Sequence, residues 1–177
     1  MNYVGREQFF AGSTAYFREH AYGNTTLPDL LRALEEASGR DLDAWVGPWL
    51  RTAGVSTIGL EVDTAEDGTV TAARLTQHCT DPVTGEEVLR PHRLAVGTYT
   101  LTGGRLQRTG HAELDLAGES VDLAGVAGLE ALVGAARPDL VLVNDGDLTY
   151  AKLALDEHST ATLVEHLGTL EAVSYTH

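Results

Sequence analysis

The chain has 177 residues, of which 26 are acidic and 12 are basic, so its formal charge is −14. A protein this acidic repels phosphate backbones and anionic lipid headgroups, which excludes generic nucleic-acid binding and adhesion to membranes. No apolar run approaches the roughly 18 residues that span a bilayer, and the N-terminus lacks the apolar stretch of a signal peptide. A cytoplasmic protein is expected. Cys79 is the single cysteine, which excludes an intrachain disulfide and a cysteine-based zinc cluster.

The first part of the chain carries a helical pattern. Phe10, Thr14 and Phe17 recur at helical spacing, which predicts an amphipathic helix over about residues 5–21. The apolar stripe on this helix is broad, so the helix is expected to pack against others.

Two further helices are predicted within residues 1–54. Thr26 and Asp29 have the spacing of a capping box and Gly39 is a stop signal, which together delimit the second helix. Asp41 is predicted to cap a third helix, which Pro48 is expected to kink or break. These signals predict an N-terminal three-helix subdomain.

From about residue 57 the apolar residues alternate with polar ones, and turn signals recur at short intervals. This pattern predicts an antiparallel β-sandwich over residues 55–156, followed by a short C-terminal helix within residues 157–177. The Gly- and Ala-rich stretch 122–136 is expected to form a short helix or a pliable lid. The predicted fold class is therefore α+β.

Three stretches carry a resemblance to a known family. They begin at His20 (HAYGNTT), at Leu89 (LRPHRLAVG) and at Arg137 (RPDLVLVND). Together they resemble the M1 family of zinc aminopeptidases, of the aminopeptidase N type found in actinobacteria. The resemblance implies that residues 1–54 correspond to the end of the catalytic helical domain, and that the following strands correspond to its β-sandwich.

The motifs that carry catalysis in that family are missing from this sequence. Neither His-Glu-x-x-His nor Gly-x-Met-x-Asn occurs among the 177 residues. The helical geometry that places two imidazoles and a general base on one face is therefore absent. The resemblance implies a non-catalytic segment or a truncated paralogue with a structural or interaction role. We expect no peptidase activity from this chain by itself, and no metal or cofactor.

Four polar residues are weak candidates for proton transfer. His78 would need to meet His92 or His111 across strands to form a proton-transfer or metal site. Asp147 and Tyr150 flank a turn, where they would serve as proton donor or acceptor in a polar pocket. Structural roles, such as Asx turns and surface pairing, explain these residues without a function and are the favoured interpretation.

A second group of residues is predicted to contact a ligand or a partner. Leaving large apolar side chains in water costs roughly 1.5–3 kcal/mol each relative to burial. A second copy, another protein chain or a hydrophobic small molecule is expected to cover them. Arg90 lies in a basic stretch that would either bind a carboxylate or pair with the surplus acidic side chains. The residues of this group are Phe10, Phe17, Trp45, Trp49 and Arg90.

Two alternative functions remain open from the sequence. The first is a repurposed small-molecule enzyme of the cyclase or isomerase type, acting in a biosynthetic pathway with an apolar pocket. The second is a module that binds a peptide or protein at a sheet edge.

Overall fold

The computed structural model describes residues 1–170, and the fold is α+β as predicted. The chain divides into two compact units, a helical unit over Met1–Thr52 and a β unit that begins at Ala53. Among the helices of the described residues, none combines the length and the apolar character that a bilayer crossing requires.

The helical unit contains α1 (Arg6–Glu19), α2 (Leu27–Ser38) and α3 (Asp43–Leu50). Helices α1 and α2 approach closely at Gly12, where a Cβ atom would lie 2.8 Å from the carbonyl oxygen of Ala33. The predicted capping box at the start of α2 is confirmed. Its C-terminus is also as predicted, because Gly39 adopts a left-handed conformation with φ of 68°.

The third helix differs from its prediction at its N-cap and at Pro48. Leu42 is the N-cap, and Asp41 lies one residue earlier, where its Oδ1 accepts the backbone N–H of Asp43 at 2.9 Å. The helix runs through Pro48 to Leu50 without a break. Proline removes one backbone donor, and an eight-residue helix tolerates this because the N–H of Arg51 still bonds to the carbonyl of Gly47 at 3.1 Å.

The β unit consists of two sheets with a shared core. The strands are β1 (Thr57–Thr64), β2 (Val70–His78), β3 (His92–Thr102), β4 (Arg105–Leu116), β5 (Ser120–Asp122), β6 (Leu140–Val143) and β7 (Lys152–Ala154). One sheet has the strand order β5-β2-β1-β7 and the other has the order β4-β3-β6. The pair β1–β7 is parallel, so the sandwich departs from the predicted antiparallel arrangement at this edge. The chain reaches β7 from β6, which lies in the other sheet.

A bulge in β4 changes which residues face the core. Thr98 pairs with Gly110 and Tyr99 pairs with Arg108, which leaves Thr109 as the extra residue. Even-numbered residues of β4 therefore point to one face of the sheet before the bulge and to the other face after it. Leu106 before the bulge thus faces the outer side of the sheet, whereas Ala112, Leu114 and Leu116 after it face the core between the sheets.

The core between the sheets takes residues from both of them. It includes Ile58 and Leu75 from the first sheet and Leu94 and Leu116 from the second, all with no exposed surface. A smaller cluster on the outer face of the second sheet joins Tyr99, Leu106, Leu140 and Leu170. Strand β6 contributes to both clusters, which explains its uninterrupted apolar sequence.

The stretch 122–136 forms a series of turns, not a helix. Leu123, Leu129 and Leu132 from this stretch are at most 3% exposed and belong to the core between the sheets. The backbone of Val70 also bonds to it, through the carbonyl of Ala135 at 2.9 Å. The buried leucines therefore favour a segment that closes the sandwich and is anchored in its core over a pliable lid.

The predicted C-terminal helix is α4 (Glu157–His166), followed by a 3-10 turn over Leu167–Thr169. Asp156 caps α4 by accepting the N–H of Ser159 at 3.1 Å. The hydroxyl of Ser159 in turn accepts the N–H of Val141 on β6 at 3.2 Å. The remainder of the predicted span, residues 171–177, lies outside the described residues.

Candidate functional site

His92 is buried at the start of β3, with 1% of its surface exposed. Its Nδ1 lies 2.8 Å from the hydroxyl of Thr149. Burial, and secondly the positive charge of Arg90, lowers the pKa of His92 to about 4. The imidazole is therefore uncharged at neutral pH, and its observed contact fastens the start of β3 to the turn after β6.

That turn, residues 144–149, is organised by Asn144. Its Oδ1 accepts the N–H groups of Leu148 at 2.9 Å and Thr149 at 3.0 Å, and its Nδ2 donates to the carbonyl of Thr149 at 2.9 Å. Asp147 is exposed and adopts a left-handed backbone conformation with φ of 53°. These contacts match the structural interpretation of the turn. The signal in the sequence was the Asn-Asp-Gly-Asp run, although the organising role of Asn144 was missed.

The other two proton-transfer candidates face solvent. Tyr150 is 72% exposed. His78 lies at the end of β2, exposed, with its Nδ1 3.3 Å from the Oε1 of Glu87. The sequence left open a meeting of His78 with His92 or His111, but the contacts of the His78 ring are with Glu87 and Thr80. Strand β2 lies in one sheet, and β3 and β4 lie in the other.

The four candidates do not come together in one polar cluster. His92 and Asp147 are linked through Thr149 and Asn144, while His78 lies in the other sheet. Within residues 1–170, no three His, Cys, Asp or Glu side chains are grouped closely enough to hold a metal ion.

Arg90 is buried, with 2% of its surface exposed, so it does not form a surface patch for a carboxylate ligand. Its Nη1 donates to the Sγ of Cys79 at 2.9 Å, and its Nη2 donates to the carbonyl of Ala53 at 2.8 Å. The neighbouring Arg93 does pair with acidic side chains, as the alternative interpretation expected: its guanidinium contacts Glu113 at 3.1 Å.

Asp81 also binds the backbone of Ala53. Its carboxylate accepts the N–H of Ala53 at 2.9 Å and that of Val83 at 2.8 Å. These backbone hydrogen bonds hold the pKa of Asp81 below its ordinary value. Asp81 and Arg90 therefore fix both polar backbone atoms of Ala53, which anchors the start of the β unit.

An ion pair on the second sheet, with its carboxylate buried, was missed from the sequence. The side chain of Asp145 has no exposed surface, and its Oδ2 lies 3.2 Å from the Nη1 of Arg108. Gly97 leaves the necessary space, since a Cβ atom there would lie 2.4 Å from the same oxygen. The pair is a structural element of the sheet, and a separation of 37 positions hid it from local pattern analysis.

The four aromatic residues that were predicted to contact a ligand or a partner lie in the helical unit, and they differ in how far their side chains are exposed. Phe10 and Phe17 on α1 are 53% and 71% exposed. Trp45 and Trp49 are half-buried and stack on each other, with ring centroids 5.7 Å apart. The aromatic face of α1 is thus open to contact, whereas the tryptophans partly cover each other.

A groove of about 280 Å³ lies within the helical unit. Its lining is apolar or aromatic throughout, and Trp45 is one of the predicted interface residues in it. Phe9 lines the groove, whereas Phe10 points elsewhere. The lining residues are Met1, Tyr3, Val4, Phe9, Leu27, Leu30, Leu31, Leu34, Leu42, Trp45 and Leu50.

Comparison with known proteins agrees with the resemblance. No family model matches the chain. Aminopeptidase N from Streptomyces lividans is 49% identical over 170 residues, which cover 94% of this chain and 19% of that protein. The chain is similar, almost end to end, to a segment of aminopeptidase N. It spans about a fifth of the length of this relative.

Shorter matches involve other aminopeptidases and one interacting factor. Aminopeptidase N from Lactococcus lactis is 42% identical over 60 residues, which cover 34% of this chain and 7% of that protein. Tricorn protease-interacting factor F2 from Thermoplasma volcanium is 37% identical over 62 residues, or 35% of this chain and 8% of that protein. The similarity to aminopeptidase N therefore extends beyond actinobacteria for part of the chain.

A solved structure shows the same fold. The crystal structure of Legionella pneumophila aminopeptidase A in complex with aspartic acid superposes with a TM-score of 0.65 at 15% identity. The match covers 94% of this chain and 18% of that one. Both the helical unit and the β unit thus have counterparts within a larger aminopeptidase.

Proposed function

We propose that this chain is a non-catalytic segment of the M1 aminopeptidase type, with a structural role. The observation that carries the proposal is the similarity of 94% of the chain to about a fifth of Streptomyces aminopeptidase N, in a sequence without the His-Glu-x-x-His motif. A helix with that motif supplies both imidazole ligands and the general base. Without it, the chain lacks the group that activates water in this family.

The contacts of the buried polar side chains support a structural role. His92 fastens β3 to a turn, Arg90 fastens the start of the β unit, and Asp145 pairs with Arg108 across the second sheet. Each contact joins segments that are distant in sequence. Buried polar groups engaged in this way hold a fold together, whereas a catalytic group must present a reactive atom to substrate.

A peptidase assay tests the proposal. The purified chain is incubated with aminoacyl p-nitroanilides in the presence of zinc, with and without a chelator, beside Streptomyces lividans aminopeptidase N as the reference enzyme. We expect release of nitroaniline at the rate of the buffer blank. Hydrolysis that rises with protein concentration and is abolished by the chelator would refute the proposal.

We propose further that the interaction role belongs to the exposed aromatic face of α1. Phe10 and Phe17 lie two helical turns apart on that face, and both are more than half exposed. Covering each of them would contribute roughly 1.5–3 kcal/mol. An apolar patch of this kind on a charged protein is typical of an interaction surface.

Self-association of the chain tests the role of this face. Light scattering of the parent protein is expected to give a mass that rises above the monomer with concentration. The double variant Phe10→Ser/Phe17→Ser is expected to stay monomeric, because the apolar face is lost. The matched control is Val83→Ser, which removes a still more exposed apolar side chain, 82% exposed, from the β unit. A parent that is monomeric throughout, or a control that loses association equally, contradicts the proposal.

The small-molecule enzyme alternative is supported by one observation, the apolar groove of about 280 Å³ in the helical unit. Ligand pockets of roughly 300–1,000 Å³ normally combine an apolar lining with a few converging polar groups. The lining here is apolar or aromatic, and the four proton-transfer candidates lie in the β unit, away from this groove. The structural role is therefore the better-supported proposal.

Binding of a peptide at a sheet edge also stays a prediction. Strand β4 has 12 residues and lies at an edge of its sheet. Edge strands present backbone groups to which a further strand can bond. The bulge at Thr109 interrupts the regular edge, which reduces the length over which an added strand would pair.

A further inference from the structure

We draw no further inference here: the strongest candidate, the apolar groove of the helical unit between α1, α2 and α3, carries nothing beyond the interaction role already proposed, because nothing in the structure shows what covers it.

Discussion

His92 couples the stability of the β unit to pH. Its pKa is lowered from an ordinary value of 6.5 to about 4 in the folded chain, mainly because the ring is buried. Between these two values the unfolded chain binds a proton that the folded chain does not. The contribution of His92 to stability is therefore fully present above pH 6.5 and is lost as the pH falls toward 4. The total is about 3 kcal/mol, from the difference between the two pKa values.

The variant His92→Gln tests this coupling. Urea unfolding at pH 7.5 and at pH 4.5 is expected to show a large loss of stability at the lower pH for the parent, and a clearly smaller loss for the variant. At pH 7.5 the variant is expected to be less stable by about 1–3 kcal/mol, because the buried contact with Thr149 is disturbed.

The control for this experiment is His78→Gln, which changes an exposed histidine in the same unit. Its stability should fall with pH as steeply as that of the parent. If His92→Gln retains the full pH dependence, or if the two variants flatten it equally, the buried neutral histidine is not the cause.

At the scale of elements, the question is whether the stretch 122–136 closes the sandwich as a fixed part of its core or covers it as a movable segment. Leu129 and Leu132 are each 3% exposed within the core between the sheets. A stretch that inserts side chains so deeply contributes to stability as a strand does. A lid would contribute little, because it opens while the core stays intact.

The variant Leu129→Ala distinguishes these two cases. A well-packed core leucine costs about 2–5 kcal/mol on truncation to alanine, so the unfolding midpoint in urea is expected to fall strongly. Leu153→Ala on β7, where the leucine is 42% exposed, is the matched control with a much smaller expected loss. Equal, small losses for both variants would indicate that the stretch is detachable after all.

The elements that were predicted correctly depend on short-range signals. The capping box joins Thr26 and Asp29, three positions apart, and Gly39 ends the same helix through its own backbone conformation. The alternation of apolar residues in β1 and β2 likewise reports which face is buried. Such signals lie within a few residues of the structure they determine, which makes them readable from one sequence.

The features that were missed depend on residues far apart in sequence. The parallel pairing of β1 with β7 joins Thr57 to Lys152, and the ion pair with a buried carboxylate joins Arg108 to Asp145. Periodicity indicates that a strand exists but not which strand lies beside it. For the same reason the sequence left open whether His78 meets a second histidine, and the structure places β2 and β3 in different sheets.

For the whole molecule, the chain resembles part of a zinc enzyme, but its sequence lacks the zinc motif. The aminopeptidase similarity covers residues of both the helical unit and the β unit. The motif that the resemblance implies for zinc binding is missing, since the sequence contains no His-Glu-x-x-His. Buried polar residues hold the β unit together. We therefore propose a supporting role for the chain, in which this segment holds no catalytic zinc.

The zinc content of the chain after dialysis tests most directly whether this segment holds a catalytic zinc ion. The chain is equilibrated with zinc and then dialysed against a weak competing chelator, with Streptomyces lividans aminopeptidase N treated in parallel, and bound metal is counted by elemental analysis. We predict that this chain loses its zinc, because in residues 1–170 no three His, Cys, Asp or Glu side chains are grouped closely enough to hold a metal ion. One zinc ion per chain that survives the chelator would contradict it.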